Sequence, residues 1–208
     1  MGFPPGWYLG LIGLTGLQRL RELQISARNE SDTGGERAAA GSYPMMVAAH
    51  IALFTLPLIE VSLRRRRPPV ALALVGAGVL AAATALRWWS IRSLGPAWNV
   101  RAAVPEALRP VTRGPYRWIR HPNYVAVALE FAALPLAGGA WISAILLSAL
   151  NAGVLALRIP AEERLLERSP EYVALVSGKP RFIPNWAGAP APAVASRAAR
   201  TSGAEARD

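Results

Sequence analysis

The sequence predicts an all-α integral membrane protein of about five transmembrane segments, including a helical hairpin, with cytoplasmic amphipathic helices after the last segment. Three observations carry that prediction. Long charge-free runs alternate with short Arg-rich stretches along the 208 residues. One run, Val70 to Leu86 (VALALVGAGVLAAATAL), is apolar all the way round and not along a single stripe. The basic residues gather in the connections that one face of a membrane would share. Charged residues make up 17% of the chain, below the ~25% of soluble domains. A soluble helical bundle would also have short apolar helices with polar joints, but its helices would show polar backs.

The elements follow in order. The first segment, near residues 3–17, starts at Phe3, carries Trp7 and Tyr8, and stops before Arg19. It lacks the basic n-region of a signal peptide. The second, 43–63, holds only His50 and Glu60 as titratable groups; about twenty residues at ~1.5 Å each match a ~30 Å hydrocarbon core. The third, 69–88, contains the charge-free run from Pro69 to Leu86. From Pro122 to Leu157 the only charge is Glu130, and Pro135, Gly138 and Gly139 divide this stretch into a hairpin of segments 122–136 and 139–158. Ser169-Pro170-Glu171 starts a short amphipathic helix with Tyr172, Val173 and Leu175, ended by Gly178 and Pro180. Residues 1–186 then form one membrane domain. Ala187 to Asp208, rich in Ala, Pro, Ser and Arg, reads as a disordered tail.

Twenty-three basic against 13 acidic residues give a net charge of +10. If the N-terminus lies on one side, the loops 18–42 and 87–121 and the region from Arg158 share the other, and nineteen of the 23 basic residues fall there. The positive-inside rule makes that side cytoplasmic and the N-terminus external, with the run Arg64 to Arg67 as the local exception. No nucleic acid is needed to explain the excess, because the arginines are not interleaved with stacking aromatics on one face. Zero cysteines exclude disulfides, thiolate metal sites and a thiol nucleophile. The two histidines, His50 and His121, make a poor ligand set, so no metal is expected.

The densest chemistry lies in Gly114 to Tyr124 (GPYRWIRHPNY). Pro122 suits a first helical turn, which puts Arg120 and His121 beside orphan N–H groups that favour an anion. Equally, Arg120 and Trp118 could simply anchor the helix at the interface. In the second cluster, Arg158 to Glu163, adjacent carboxylates point about 100° apart, so Glu162 and Glu163 serve different neighbours. Arg158 and Glu162 at i, i+4 also fit a plain surface ion pair. Glu130 sits roughly 12 Å into its segment, where a carboxylate costs about 2.5–3.5 kcal/mol; it must face the interior and find a partner or a proton. His50 reads as a buried, hydrogen-bonded histidine, and Gly76-Ala77-Gly78 as a surface for close helix packing.

Gly114-Pro115-Tyr116-Arg117, then Arg120-His121-Pro122-Asn123-Tyr124, then Arg158-Ile159 with Glu162-Glu163, then Arg181-Phe182-Ile183-Pro184, occur in the order of the isoprenylcysteine carboxyl methyltransferase family. The resemblance spans roughly residues 70–184. It implies S-adenosylmethionine as cofactor, held by His121, Pro122, Tyr124, Glu162, Glu163 and Tyr116 in a cytoplasm-facing pocket closed by the C-terminal helix. It also implies that Arg120 and Arg158 meet the acceptor, that Glu130 and Arg158 face the substrate, and that Glu163 or Glu130 is the base if the acceptor is a phenol. Gln18-Arg19-Leu20, Ser26 to Glu30, Tyr43-Pro44, and Ala126 where glycine is usual, resemble a bacterial subgroup in which some members O-methylate alkylresorcinols or alkylpyrones. That implies O-methylation of a lipophilic small-molecule acceptor in a bacterial inner membrane, either an isoprenylcysteine-type carboxylate or, in preference, a phenolic polyketide lipid. Two rivals remain at this point. One is an NADPH-dependent membrane reductase of the sterol or enone type, which shares Arg-His-Pro-Asn-Tyr but not the Arg158-Ile159/Glu162-Glu163 pattern. The other is a non-enzymatic membrane scaffold.

Overall fold

The structure, a computed structural model, describes residues 4–33, 35–64, 68–104 and 110–185. Within them the helices are α1 (Gly6–Thr33), α2 (Tyr43–Arg64), α3 (Val70–Leu94), α4 (Pro122–Ala137), α5 (Trp141–Leu166) and α6 (Pro170–Val176). A two-residue antiparallel ladder pairs β1 (Glu36–Arg37) with β2 (Ala103–Val104), with Glu36 opposite Val104. Helices α2, α3 and α5 are long and apolar enough to cross a membrane, and α4 is a shorter apolar helix of 16 residues, about 24 Å long at the α-helical rise. Leu14, Ile59, Leu74, Val75 and Ile145 are exposed on the outer surface, a pattern that lipid tolerates and water does not. The chain is an all-α membrane protein.

Side-chain chemistry fixes both ends of the bundle. At one end Tyr8 of α1 donates to the Leu134 carbonyl at 3.1 Å, and a Cβ on Gly138 would stand 2.3 Å from the Tyr8 ring. The hairpin therefore needs glycine there. Glu60 of α2 accepts from the Ser143 backbone N–H and hydroxyl, each at 2.7 Å, and from Ile142 N–H at 3.2 Å. It thereby caps α5 from a neighbouring helix, where the helix dipole favours an anion. At the opposite end Asn29 donates to the carbonyls of Gly95 and Trp98, at 3.1 and 2.6 Å. Asn99 clamps Ala103 from both sides, donating to its carbonyl at 2.7 Å and accepting from its N–H at 2.6 Å. This holds the loop after α3 over the interior.

The most extensive helix contact is α3 on α4. Gly76 permits it, since a Cβ would lie 2.7 Å from the Ala137 backbone nitrogen; Gly78 faces open space. Leu53, Phe131, Leu134 and Leu147 fill the core around this contact.

Two predicted boundaries move. The first segment does not end before Arg19, because α1 continues to Thr33 and takes most of the predicted loop 18–42 with it. Arg19 and Glu22 stop being terminators because they pair with each other at i, i+3 and are both buried. The fifth segment does not end at residue 158: α5 runs through Pro160 to Leu166, so Arg158, Glu162 and Glu163 share one continuous helix. Proline removes one N–H and strains one turn, which packing along the rest of the helix offsets. The expected start at Phe3, Arg65 to Arg67 and the tail from Ala187 lie outside the described residues.

Gly76→Leu should be destabilised by about 1–3 kcal/mol through overpacking at the α3–α4 crossing. Thermal unfolding in detergent reads it; a wild-type midpoint would remove the close approach.

Candidate active site

The site begins with a glycine. Gly114 has φ +60°, and a Cβ there would lie 2.0 Å from the Ser93 hydroxyl oxygen. The short 3-10 turn Gly114–Arg117 can therefore seat directly on α3. Arg113 locks it by donating to the Ser93 carbonyl at 2.9 Å, and Trp118 meets Trp89 edge-on at 5.7 Å. The chain then enters α4 at Pro122, as expected for proline in a first turn.

A C-terminal strap covers this entry. The backbone N–H groups of Arg120 and His121 donate to the carbonyls of Pro180 and Arg181, at 2.9 and 3.0 Å. Lys179 donates to the Tyr116 carbonyl at 2.8 Å, and burial lowers its pKa. The helix before the strap forms as the sequence predicts, with the Ser169 hydroxyl accepting from Tyr172 N–H and Gly178 at φ +72° ending it.

Glu163 binds strap and helix together. Its Oε1 lies 3.0 Å from His121 Nε2, 3.1 Å from Arg120 Nη1 and 3.0 Å from Arg181 Nε, and its Oε2 accepts from Arg181 Nη2 at 2.5 Å. The hydrogen bond to Glu163 in turn raises the pKa of Arg181. Adjacent Glu162 points elsewhere and accepts from the Tyr124 hydroxyl. The two carboxylates thus serve different neighbours, as their angular separation requires.

Arg158 does not form the surface pair its spacing allows. It is 3% exposed and donates to the Val100 carbonyl at 2.8 Å, while its Nε and Nη1 have no hydrogen-bond partner among the described residues. Asn123 Oδ1, Trp98 Nε1 and Arg120 Nε are buried and unpartnered in the same way. All four residues line one cavity of about 610 Å³. Its polar end carries His121, Tyr124, Arg158 and Glu162; its other end is walled by Met46, Val47, Ile51 and Phe54 of α2. Burial, then the charge of Glu162, pushes Tyr172 up to about 12, and the same causes raise Tyr116 further. Both hydroxyls therefore stay protonated near neutral pH.

Beside the apolar end lies a quartet of buried charges. Arg19 reaches both oxygens of Glu130 at 2.6 Å and also pairs with Glu22. Arg87 donates to Glu22 through Nε at 2.9 Å and Nη2 at 2.8 Å, and its Nη1 stands 3.9 Å from Glu130. The four charges cancel. Glu130, 1% exposed, faces the interior with partners, as its insertion cost requires.

Of the residues expected from sequence, Tyr116, Arg120, His121, Tyr124, Arg158 and Glu162 line the cavity. Pro122 is buried in the helix start, and Glu163 and Glu130 stand outside the lining, each held by arginines. The sequence reading missed Arg19, Glu22 and Arg87, which it counted as loop residues. It also missed Asn99, Asn123 and Arg181 as site-forming groups. A weak signal existed for the first two: Arg19 and Glu22 stand at i, i+3, one turn apart. Arg181 stands in a motif that carries the resemblance, but nothing local gives its role, because its partner Glu163 is 18 positions away.

Residues 74–168 match the isoprenylcysteine carboxyl methyltransferase (ICMT) family. The chain belongs to that family. It is also 34% identical over 160 residues to YpbQ of Bacillus subtilis, described as an uncharacterized protein; the alignment covers 76% of this chain and 95% of that one. The region matched to the ICMT family takes in most of α3, the 114–117 turn, α4 and all of α5, but not α1, α2 or the strap. Membership places the chain in a family of membrane methyltransferases. Helices α1 and α2 supply the cavity's apolar end from outside the matched region.

Glu130→Leu leaves Arg19 short of a buried partner and should cost about 3–5 kcal/mol. The double substitution Glu130→Leu/Arg19→Met retains the Glu22–Arg87 pair and should recover most of that loss. Unfolding in detergent checks both; additive losses would contradict the pairing.

Proposed function

We propose that this protein is an integral-membrane, S-adenosylmethionine-dependent O-methyltransferase acting on a lipophilic hydroxyl acceptor, a phenolic lipid. The observation that carries the reading is the two-ended cavity. One end offers buried, unpartnered polar atoms at the edge of the bundle, and the other offers apolar walls at the level of the hydrophobic helices. A water-borne cofactor and a lipid-borne acceptor need such a shared space.

The polar end fits the cofactor. Arg158 has two unpartnered donors for its carboxylate, while Asn123 Oδ1 and Glu162 offer acceptors for its ammonium and hydroxyl groups. Family resemblance assigned Arg158 to the acceptor, but its position beside Tyr124 and Glu162 supports the cofactor side. When bound, the cofactor supplies a methyl group on a sulfonium. The protein's part is to align an acceptor oxygen with that methyl and to keep water out. Glu163, by fixing Arg120, His121 and Arg181, holds the strap closed over the polar end. Neither Glu163 nor Glu130 suits the role of base, because both oxygens of each are engaged by guanidinium groups.

Orientation follows from charge. The strap, the loop after α3 and the start of α4 share one end of the bundle with most of the basic residues, which supports a cytoplasmic polar end and an external N-terminus in a bacterial inner membrane. Arg19, Arg87 and Arg158 drop out of that count because they are buried.

Membranes containing the protein should move radiolabelled methyl from S-adenosylmethionine to an alkylresorcinol. Label on farnesylcysteine alone would contradict the acceptor class, and no label with no cofactor binding would contradict the whole reading. In calorimetry Arg158→Ala should bind the cofactor roughly 10- to 100-fold more weakly, as expected for losing a charge-assisted hydrogen bond; unchanged affinity would remove Arg158 from the site.

A further inference from the structure

A carboxylate acceptor needs no base, but a phenol with a pKa near 10 gives up a proton when its oxygen takes a methyl group. We propose that His50 of α2 accepts that proton through Nε2 and thereby makes the cavity selective for weakly acidic hydroxyls on apolar tails. This inference rests on the O-methyltransferase reading and names the group that the reading leaves unassigned.

Elimination within the cavity comes first. Arg19, Arg87, Arg120 and Arg158 are donors only. Glu22 is occupied by Arg87, Arg19 and Gln18. Glu162, which accepts from Tyr124, and His121, whose Nε2 lies 3.0 Å from Glu163, stand at the polar end with the groups that would hold the cofactor. Among the described groups at the apolar end, His50 is the one that offers an unengaged basic nitrogen.

Its own geometry then assigns the proton. His50 Nδ1 lies 2.8 Å from the Met46 carbonyl oxygen. A carbonyl only accepts, so Nδ1 carries the hydrogen and the lone pair of the neutral ring sits on Nε2. No described group hydrogen-bonds Nε2. The ring stands edge-on to Phe131, with centroids 5.1 Å apart at 87°, which fixes its plane. His50 lines the cavity among Met46, Val47, Ile51 and Phe54, at its apolar end. The charged groups around it are Arg19 and Glu22 from α1, Arg87 from α3 and, behind them, Glu130 from α4; as a neutral quartet they supply no competing base. His50 also lies outside residues 74–168, where a determinant particular to this chain's acceptor can sit without altering the shared methyl-transfer machinery.

The step balances. The phenolic O–H bond breaks and its proton goes to Nε2. An oxygen lone pair forms the O–CH3 bond as the C–S bond breaks, and that pair stays on sulfur as a neutral thioether. The imidazolium then releases its proton to water, so one sulfonium and one phenol give one thioether, one methyl ether and one proton.

The test uses the full chain in nanodiscs and two acceptors, an alkylresorcinol and a ring-nitrated alkylphenol already ionised at assay pH. His50→Gln should lose about 10²- to 10³-fold in kcat on the alkylresorcinol, in the usual range for general-base catalysis. It should keep near wild-type rates on the ionised acceptor and unchanged affinity for S-adenosylmethionine. Equal losses on both acceptors, or no loss on the alkylresorcinol, would overturn the assignment. A second readout needs neither cofactor nor turnover: in wild-type protein labelled at histidine nitrogen, alkylresorcinol should shift the His50 Nε2 resonance and leave His121 unmoved. Absence of that shift would overturn the contact. Wild-type protein that binds the phenol in this way yet methylates neither acceptor would refute the catalytic assignment together with the parent reading, whereas methylation of both with an unshifted His50 would refute His50 alone.

Discussion

Two arginines and two glutamates inside an apolar bundle can persist only if they neutralise one another, and the arrangement of α1, α3 and α4 follows from that requirement. An isolated ion at this depth costs several kcal/mol even after relaxation. Arg19 therefore reaches across to Glu130, and Arg87 to Glu22, with both carboxylates shared between the two guanidinium groups. Geometry of this kind tolerates little sliding. It sets the register of three helices in a region where apolar side chains alone would accept several, since lipid and core are equally apolar. Three of its members, Arg19, Glu22 and Arg87, line the cavity with Glu130 behind them, so the interaction that fixes the fold polarises the space beside the apolar end without adding net charge.

A second neutralising centre repeats the logic at the bundle's edge. Glu163 draws in Arg120, His121 and Arg181, and with them the strap that follows α6. The residues lining the cavity carry buried atoms without a hydrogen-bond partner among the described residues, among them two nitrogens of Arg158, the Asn123 side-chain oxygen Oδ1, the Trp98 indole nitrogen and Arg120 Nε. Buried polar groups are usually paired. Several orphans lining one cavity mark the surface meant to meet something else. Glu22, Glu130 and Glu163 are thus engaged by arginines, while the cavity keeps Glu162, neutral groups and the unpaired nitrogens of Arg158 on its surface.

Much of this was legible in the sequence, and the limits have physical causes. Apolar runs located α2, α3 and the hairpin because their composition leaves no other environment. Pro122, Ser169 and Gly178 marked element ends because each acts on its own backbone. The motif residues His121, Tyr124, Arg158 and Glu162 were recognisable as a set, and they do meet. What failed was the assumption that a charge ends a membrane segment. Arg19 and Arg87 read as juxtamembrane anchors because their partners, Glu130 and Glu22, lie 111 and 65 positions away. No local pattern encodes a pairing at that distance. Glu163 is the converse case: its motif suggests chemistry, and the structure surrounds its carboxylate with Arg120, His121 and Arg181, partners that its motif does not name.

A crystal structure grown in a lipidic mesophase with S-adenosylhomocysteine and an alkylresorcinol would test the central claim, that one cavity receives a polar cofactor and a lipophilic acceptor at opposite ends. The account predicts the nucleoside ligand against Asn123, Tyr124 and Arg158, with the phenol ring among Met46, Ile51 and Phe54. Finding the nucleoside outside this cavity, or the alkyl chain entering past the strap with the α2 end closed to it, would contradict that account.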